Sequence, residues 1–174
     1  MAFVAHLRPE KDPLRAALAV RLLPPLSKIR ILHAGRALTA DLANLAKAEE
    51  NRNPRYEWLG EVSGRRARSI IARSRLLVLT SRMEGGANVV SEALAARTPV
   101  IASRIACTEA LLGENYPGFF PVGSTKALAR LLGKFEADAA FQRELSLACA
   151  RQAWKVAPPE ERRAWRRVVA WARG

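Results

Sequence analysis

Cysteine is scarce in this 174-residue chain, which has only Cys107 and Cys149. Two are too few for a disulfide framework, and neither sits at metal-ligand spacing, so no metal is expected. Long apolar runs are missing too. Nothing approaches the roughly 18 residues of a membrane-spanning helix, and "ALAVRLLPPL" is cut by Arg21, Pro24 and Pro25. The start, "MAFVAHLRPEKD", has no basic stretch, apolar centre and small-residue cleavage site, so no secretory signal is expected. A reducing, cytoplasmic setting fits these absences. Acids are also few, 16 against 29 lysines and arginines, for a formal charge of +13. Of those cations 23 are arginine, spread along the whole chain. That spread favours a solvated basic surface over a nucleic-acid footprint. Interleaved aromatics and recognition-helix patterns are lacking, and nucleic acid is not the expected partner. The clusters "GRRAR" (64–68) and "ERRAWRR" (161–167) stay open as phosphate or membrane-surface contacts.

What the chain does have is alternation. Short apolar runs alternate with segments of helical period, the pattern of a parallel sheet covered by helices. Strands are expected over 2–5, 28–35, 55–60, 75–81, 99–103 and 118–122. Helices are expected over 13–23, 39–50, 63–74 and 88–97, with a short one inside 108–118. Pro13 suits a first helical turn and Thr39 a cap. Helices over 124–133, 138–154 and 158–172 close the chain, and the proline pair in "KVAPPEERRAW" separates the last from the others. The expected fold class is α/β: a Rossmann-like doubly wound parallel sheet with helices on both faces.

In such sheets ligands sit beyond the carboxyl ends of strands, where loops enter helix N-termini. "LLVLTSRMEGGANVVSEA" describes one such place. Gly85 and Gly86 allow close backbone approach. The helix from about Asn88 aims free N–H groups and its positive end at the same point, which suits a phosphate. Glu84 in the loop can accept hydrogen bonds from sugar hydroxyls, and Glu92, about one turn into the helix, is within reach of a ribose diol. From spacing alone, a plain glycine turn and a surface Glu92 explain these residues equally well. Neither cysteine has a base beside it in a nucleophile motif.

The stretch "SRMEGGANVVSEALAARTPVIAS" (81–103) closely resembles the C-terminal domain of retaining GT-B nucleotide-sugar glycosyltransferases of group 1 type. Their hallmark is two glutamates with seven residues between them, then "EA-A-G-PV-AS". Glu84, Glu92, Ala93, Ala95, Pro99, Val100, Ala102 and Ser103 match it. The resemblance implies that Glu84 faces the donor sugar as a catalytic residue and that Glu92 binds the ribose. It places the distal phosphate on the Gly85–Gly86 backbone, with Ala87 and Asn88 at the helix mouth. "FVAHLRPEKDPLRAALA" is similar to the family's first strand and loop. Lys11 falls on the lysine that neutralises the donor diphosphate, the second catalytic residue implied. His6 falls on the usual arginine, and Arg8 is close enough in the loop to supply the missing cation. Read alone, Lys11 is an exposed loop lysine and His6 a packed or solvent-facing histidine. "WLGEV" matches a strand-end loop whose backbone contacts the base, which adds Leu59, Gly60 and Val62. The wording "HLRPEKDP", "NPRYEWLG" and "LLGENYPGFFPV" is also similar to the subgroup containing selenosugar synthases, which join a nucleotide-activated amino sugar to selenophosphate.

The family usually has glycine where this chain has Ala5, Arg97 and Cys107. Losing glycine restricts backbone conformation and close approach. The resemblance covers the donor-binding half alone. It implies a nucleotide-sugar-binding domain over 1–155 and a C-terminal helix in 156–174 packing toward an acceptor-binding N-terminal domain or partner chain. Packing of Trp154, Trp165 and Trp171 on this domain's own sheet is equally open. The implied function is transfer of a hexosyl or acetylhexosaminyl group from a nucleotide diphosphate sugar, UDP-linked, with retention and without cofactor or metal. This chain alone would be inactive. The alternative is a degenerate, catalytically inactive binding or regulatory module.

Overall fold

The computed structural model describes residues 1–157. The helix expected over 158–172, with Trp165 and Trp171, lies outside the described residues. Six strands form one sheet: β1 (Ala2–Val4), β2 (Ile31–Ala34), β3 (Tyr56–Trp58), β4 (Leu77–Leu79), β5 (Val100–Ser103) and β6 (Phe119–Phe120). Their order is β3-β2-β1-β4-β5-β6, and every pairing is parallel, with Phe3 opposite His33 and Leu79 opposite Ala102. Parallel neighbours need long crossovers, and helices supply them: α1 (Arg15–Val20), α2 (Ala40–Arg52), α3 (Gly64–Arg73), α4 (Asn88–Ala95) and α5 (Ala106–Leu112). Two more, α6 (Thr125–Ala137) and α7 (Ala139–Gln152), follow the last strand. Winding runs outward from β1 to β3, then restarts from β1's other edge at β4, which makes the β1/β4 boundary the switch point. Covered on both faces, the strands are mostly apolar, and Phe3, Ile31, Leu77, Val100 and Ile101 are buried.

Side-chain oxygens start four of these helices. Thr39, Ser63, Ser124 and Asp138 accept from backbone N–H groups of α2, α3, α6 and α7. Several boundaries differ from expectation. Gly133 does not end its helix; it faces Leu23, and α6 continues to Ala137, where Asp138 begins α7. The helix expected over 13–23 stops at Val20 and the strand expected from 28 starts at Ile31. Between them the Arg55 guanidinium takes up the carbonyls of Val20, Leu23, Pro24 and Pro25, of which Val20 and Pro24 also accept turn bonds from the Leu23 and Ser27 N–H groups. The helix expected to reach 154 ends at Gln152, and Trp154 stands exposed in a 3-10 turn (Ala153–Val156) packed on α4 and α7.

Candidate functional site

A cleft of about 550 Å³ opens at the switch point, beyond the carboxyl ends of β1, β2 and β4. Two loops form its charged wall. After β1 the chain bends through a 3-10 turn (Pro9–Lys11), and Asp12 takes a left-handed conformation, φ 46°. The buried Thr80 hydroxyl donates to the carbonyls of Lys11 and Asp12 at 2.9 and 3.0 Å, and the Arg82 N–H donates to the Glu10 carbonyl at 2.8 Å. These bonds hold the β1 loop against the β4 loop and bring Lys11 Nζ into an ion pair with Glu84 Oε1. The two side chains are only 13% and 6% exposed, so solvent screens the pair weakly. Ser81 Oγ donates to the same Oε1 at 2.6 Å, and the Ser81 carbonyl in turn accepts from buried Ser103. With Oε1 fixed from two sides, Oε2 is the oxygen left to meet a ligand.

The floor of the cleft is the mouth of α4. Its cap position is Ala87, which offers no side-chain oxygen to the first-turn N–H groups. Ala87's own N–H donates to Cys107 Sγ at 3.1 Å, and the Asn88 N–H donates to the Gly86 carbonyl at 3.0 Å. Gly85, Gly86 and Val89 line the cleft, and their N–H groups have no bond within the described residues. Uncapped amides, the positive end of α4 and Lys11 together make a surface for an anion. Beside them, Glu84 Oε2 presents one strong acceptor.

The remaining wall rests on His33. Its buried ring donates from Nε2 to the Ala5 carbonyl at 2.9 Å, and its Nδ1 accepts from the Tyr56 hydroxyl at 2.7 Å. A carbonyl can only accept, so the neutral Nε2–H tautomer is fixed. Burial pushes the His33 pKa down to about 4, opposed by the bond to Ala5. Burial also raises the Tyr56 hydroxyl, helped by the Glu50 and Glu49 carboxylates. Gly35 lies so near the β1 loop that a Cβ there would stand 1.8 Å from the Ala5 carbonyl oxygen.

The structure brings Lys11, Glu84, Gly85, Gly86, Ala87, Asn88, His6, Arg8 and Val62 to one cleft. His6 is exposed and its Nδ1 accepts the Arg36 N–H at 3.1 Å; Arg8 Nε lies 3.1 Å from Glu10. Leu59 and Gly60 stand behind the lining. The Leu59 N–H extends the β2 ladder to the His33 carbonyl, and Gly60, at φ 67°, accepts from Gly35 N–H. Glu92 lies on α4 outside the lining, half-buried, with Arg68 of α3 at 3.8 Å. Arg97 sits in the left-handed region at φ 57°, where α4 ends. It is at the far end of the helix from the cleft. Sequence reasoning missed Val4, Ala34, Gly35, Ala67 and Val89. Gly35 and Val89 left a signal: a glycine ending an apolar strand, and the orphan N–H groups of any first helical turn.

The sequence profile described as "Glycosyl transferases group 1" matches residues 1–155. A search of curated proteins finds no match. Similar solved structures include Anabaena HepE in complex with UDP, at 20% identity and TM-score 0.78, covering 97% of this chain and 48% of that one. HepE with UDP and glucose follows at 19% identity and TM-score 0.75, covering 89% and 42%. A variant of S. aureus TarM in complex with Fondaparinux, alpha-GlcNAc-glycerol and UDP shares 18% identity at TM-score 0.74, covering 94% and 34%. At such identities the likeness is one of fold. This chain spans less than half the length of each of these proteins.

Proposed function

Because this chain belongs to the glycosyl transferases group 1 family, we propose that its cleft is the donor site for a nucleotide diphosphate sugar, UDP-linked. One observation carries the reading: Lys11 paired with Glu84 beside the uncapped amides of α4. An anion site that also contains a carboxylate needs a cation to offset it, and Lys11, paired with Glu84 in the same cleft, supplies that cation. The diphosphate lies on the Gly85, Gly86 and Val89 N–H groups, with Arg8 and His6 on the β1 side. Glu92 takes the ribose hydroxyls in exchange for its distant contact with Arg68.

Transfer proceeds with retention of configuration and without a metal, onto an acceptor held by an N-terminal domain or partner chain. The neighbours in complex with UDP and glucose, and with alpha-GlcNAc-glycerol and UDP, favour a uridine donor and a hexosyl or acetylhexosaminyl group. As the sugar–phosphate bond breaks, negative charge grows on the diphosphate, where preformed amides and Lys11 stabilise it without reorganising. Glu84 Oε2 orients the sugar hydroxyls, and positioning supplies much of the remainder. The subgroup wording points to selenophosphate as the acceptor to try first.

Calorimetry with UDP and UDP-sugars tests the reading. Binding is expected for wild type and about tenfold weaker for Glu92→Ala, the loss of hydrogen bonds to a charged group. No turnover is expected from this chain alone; saturable sugar transfer by it would overturn the two-half assignment. UDP binding without turnover in the presence of the acceptor half would mark a degenerate binding module instead.

A further inference from the structure

The amino end of the sheet, opposite the cleft, carries a feature that donor chemistry does not use. The connection from α1 to β2 reads "RLLPPLSKIR" (21–30) and is rigidly held. Arg55 Nη1 donates to the Val20 and Leu23 carbonyls at 3.1 and 3.3 Å, and Nη2 to those of Pro24 and Pro25 at 2.7 and 2.8 Å. On this stapled loop Leu26 is 92% exposed and Leu22 57%, while Leu23 turns inward. Nothing within the described residues stabilises an aliphatic side chain held so far into water. Both flanks are cationic. Arg21 and Arg52 border a hollow of about 370 Å³ on one side, and Lys28, Arg30, Arg73 and Arg75 border one of about 280 Å³ on the other. Arg52 and Arg21 pair with buried Glu49 at 2.8 and 3.6 Å, whereas Lys28, Arg30, Arg73 and Arg75 share their hollow with a single acid, Glu136, which accepts the Lys28 N–H at 2.7 Å.

We propose that this edge docks on an anionic phospholipid surface, with Leu26 and Leu22 entering the acyl boundary and Lys28, Arg30, Arg73 and Arg75 on lipid phosphates. Charge alone would suit nucleic acid equally. The loop, however, offers no aromatic ring for a base to stack on, and an apolar tip ringed by cations is the pattern of interfacial binding. A membrane on this edge leaves the cleft free, since the two lie at opposite ends of the strands.

The test is co-sedimentation of the full chain with phosphatidylcholine vesicles, with and without phosphatidylglycerol. Partition onto the anionic vesicles alone is expected, weakening as salt rises. Leu26→Ser should weaken it about tenfold, and Arg30→Gln and Arg73→Gln about fivefold each. These side chains are exposed, and unchanged circular dichroism checks the fold. The "ERRAWRR" segment is itself basic, so a variant with Arg162, Arg163, Arg166 and Arg167 all changed to Gln serves as control and should keep its sensitivity to Leu26→Ser. The proposal is overturned if wild type ignores anionic vesicles, if Leu26→Ser binds them unchanged, or if only poly(U) RNA is bound.

Discussion

Two residues that touch no reacting atom decide whether the cleft exists. Gly35 is one. An added Cβ would overlap the Ala5 carbonyl oxygen, and that oxygen also accepts from His33, so it cannot retreat without losing a buried bond. Gly35→Ala should cost roughly 3 kcal/mol by urea unfolding and should weaken UDP binding, because the β1 loop carrying Lys11 moves with Ala5. His33 is the other. Its folded pKa of about 4 lies below its ordinary 6.5, so only the unfolded chain takes up a proton between those values. The stability it contributes is complete above the unfolded value and is lost as pH falls toward the folded one. About 2 kcal/mol should disappear between roughly pH 7 and pH 4.5, and His33→Gln should flatten that dependence. Equal slopes for the two proteins would show that another group carries the effect. These contacts are hidden in the sequence. Glu84 and Lys11 stand out through the resemblance to the family's motifs, but nothing in "RILHAG" tells which loop its histidine supports, because partners 28 positions apart meet only once the strands are paired.

At the level of elements, α4 links the chemistry to the fold. Eight residues at 1.5 Å each separate its two ends by about 12 Å. The cleft end lacks a cap while α2, α3, α6 and α7 have theirs. At the other end Arg97 occupies the left-handed position where helices usually place glycine, and the Thr98 N–H returns to the Ala93 carbonyl at 2.9 Å. Arg97→Gly should therefore raise stability by about 0.5–1 kcal/mol and leave UDP affinity unchanged. An altered affinity would contradict the separation of the two ends. Cys107 is different, since its sulfur engages the Ala87 N–H at the cleft floor. The order of elements is legible in the alternation of apolar runs and helical periods. Boundaries are less so: Gly133 reads as a stop, yet the helix passes through it to Ala137.

For the whole molecule, the order β3-β2-β1-β4-β5-β6 explains why residues as distant as Lys11 and Glu84 converge: β1 and β4 are neighbours, and both loops leave from the same edge. The opposite edge collects the loops that carry Leu26, Arg30 and Arg73. That division between a ligand end and a docking end cannot be read from a charge of +13 spread along the chain. It emerges only when the loops sort to two ends of one sheet. The most direct test of the central claim is a titration of the ¹⁵N-labelled chain with UDP, followed by its amide spectrum. Saturable shifts at Gly85, Gly86 and Val89, with the shifts and the affinity reduced in Lys11→Ala, are the predicted result. Saturable binding that leaves those three amides unmoved, or no binding at all, would contradict it.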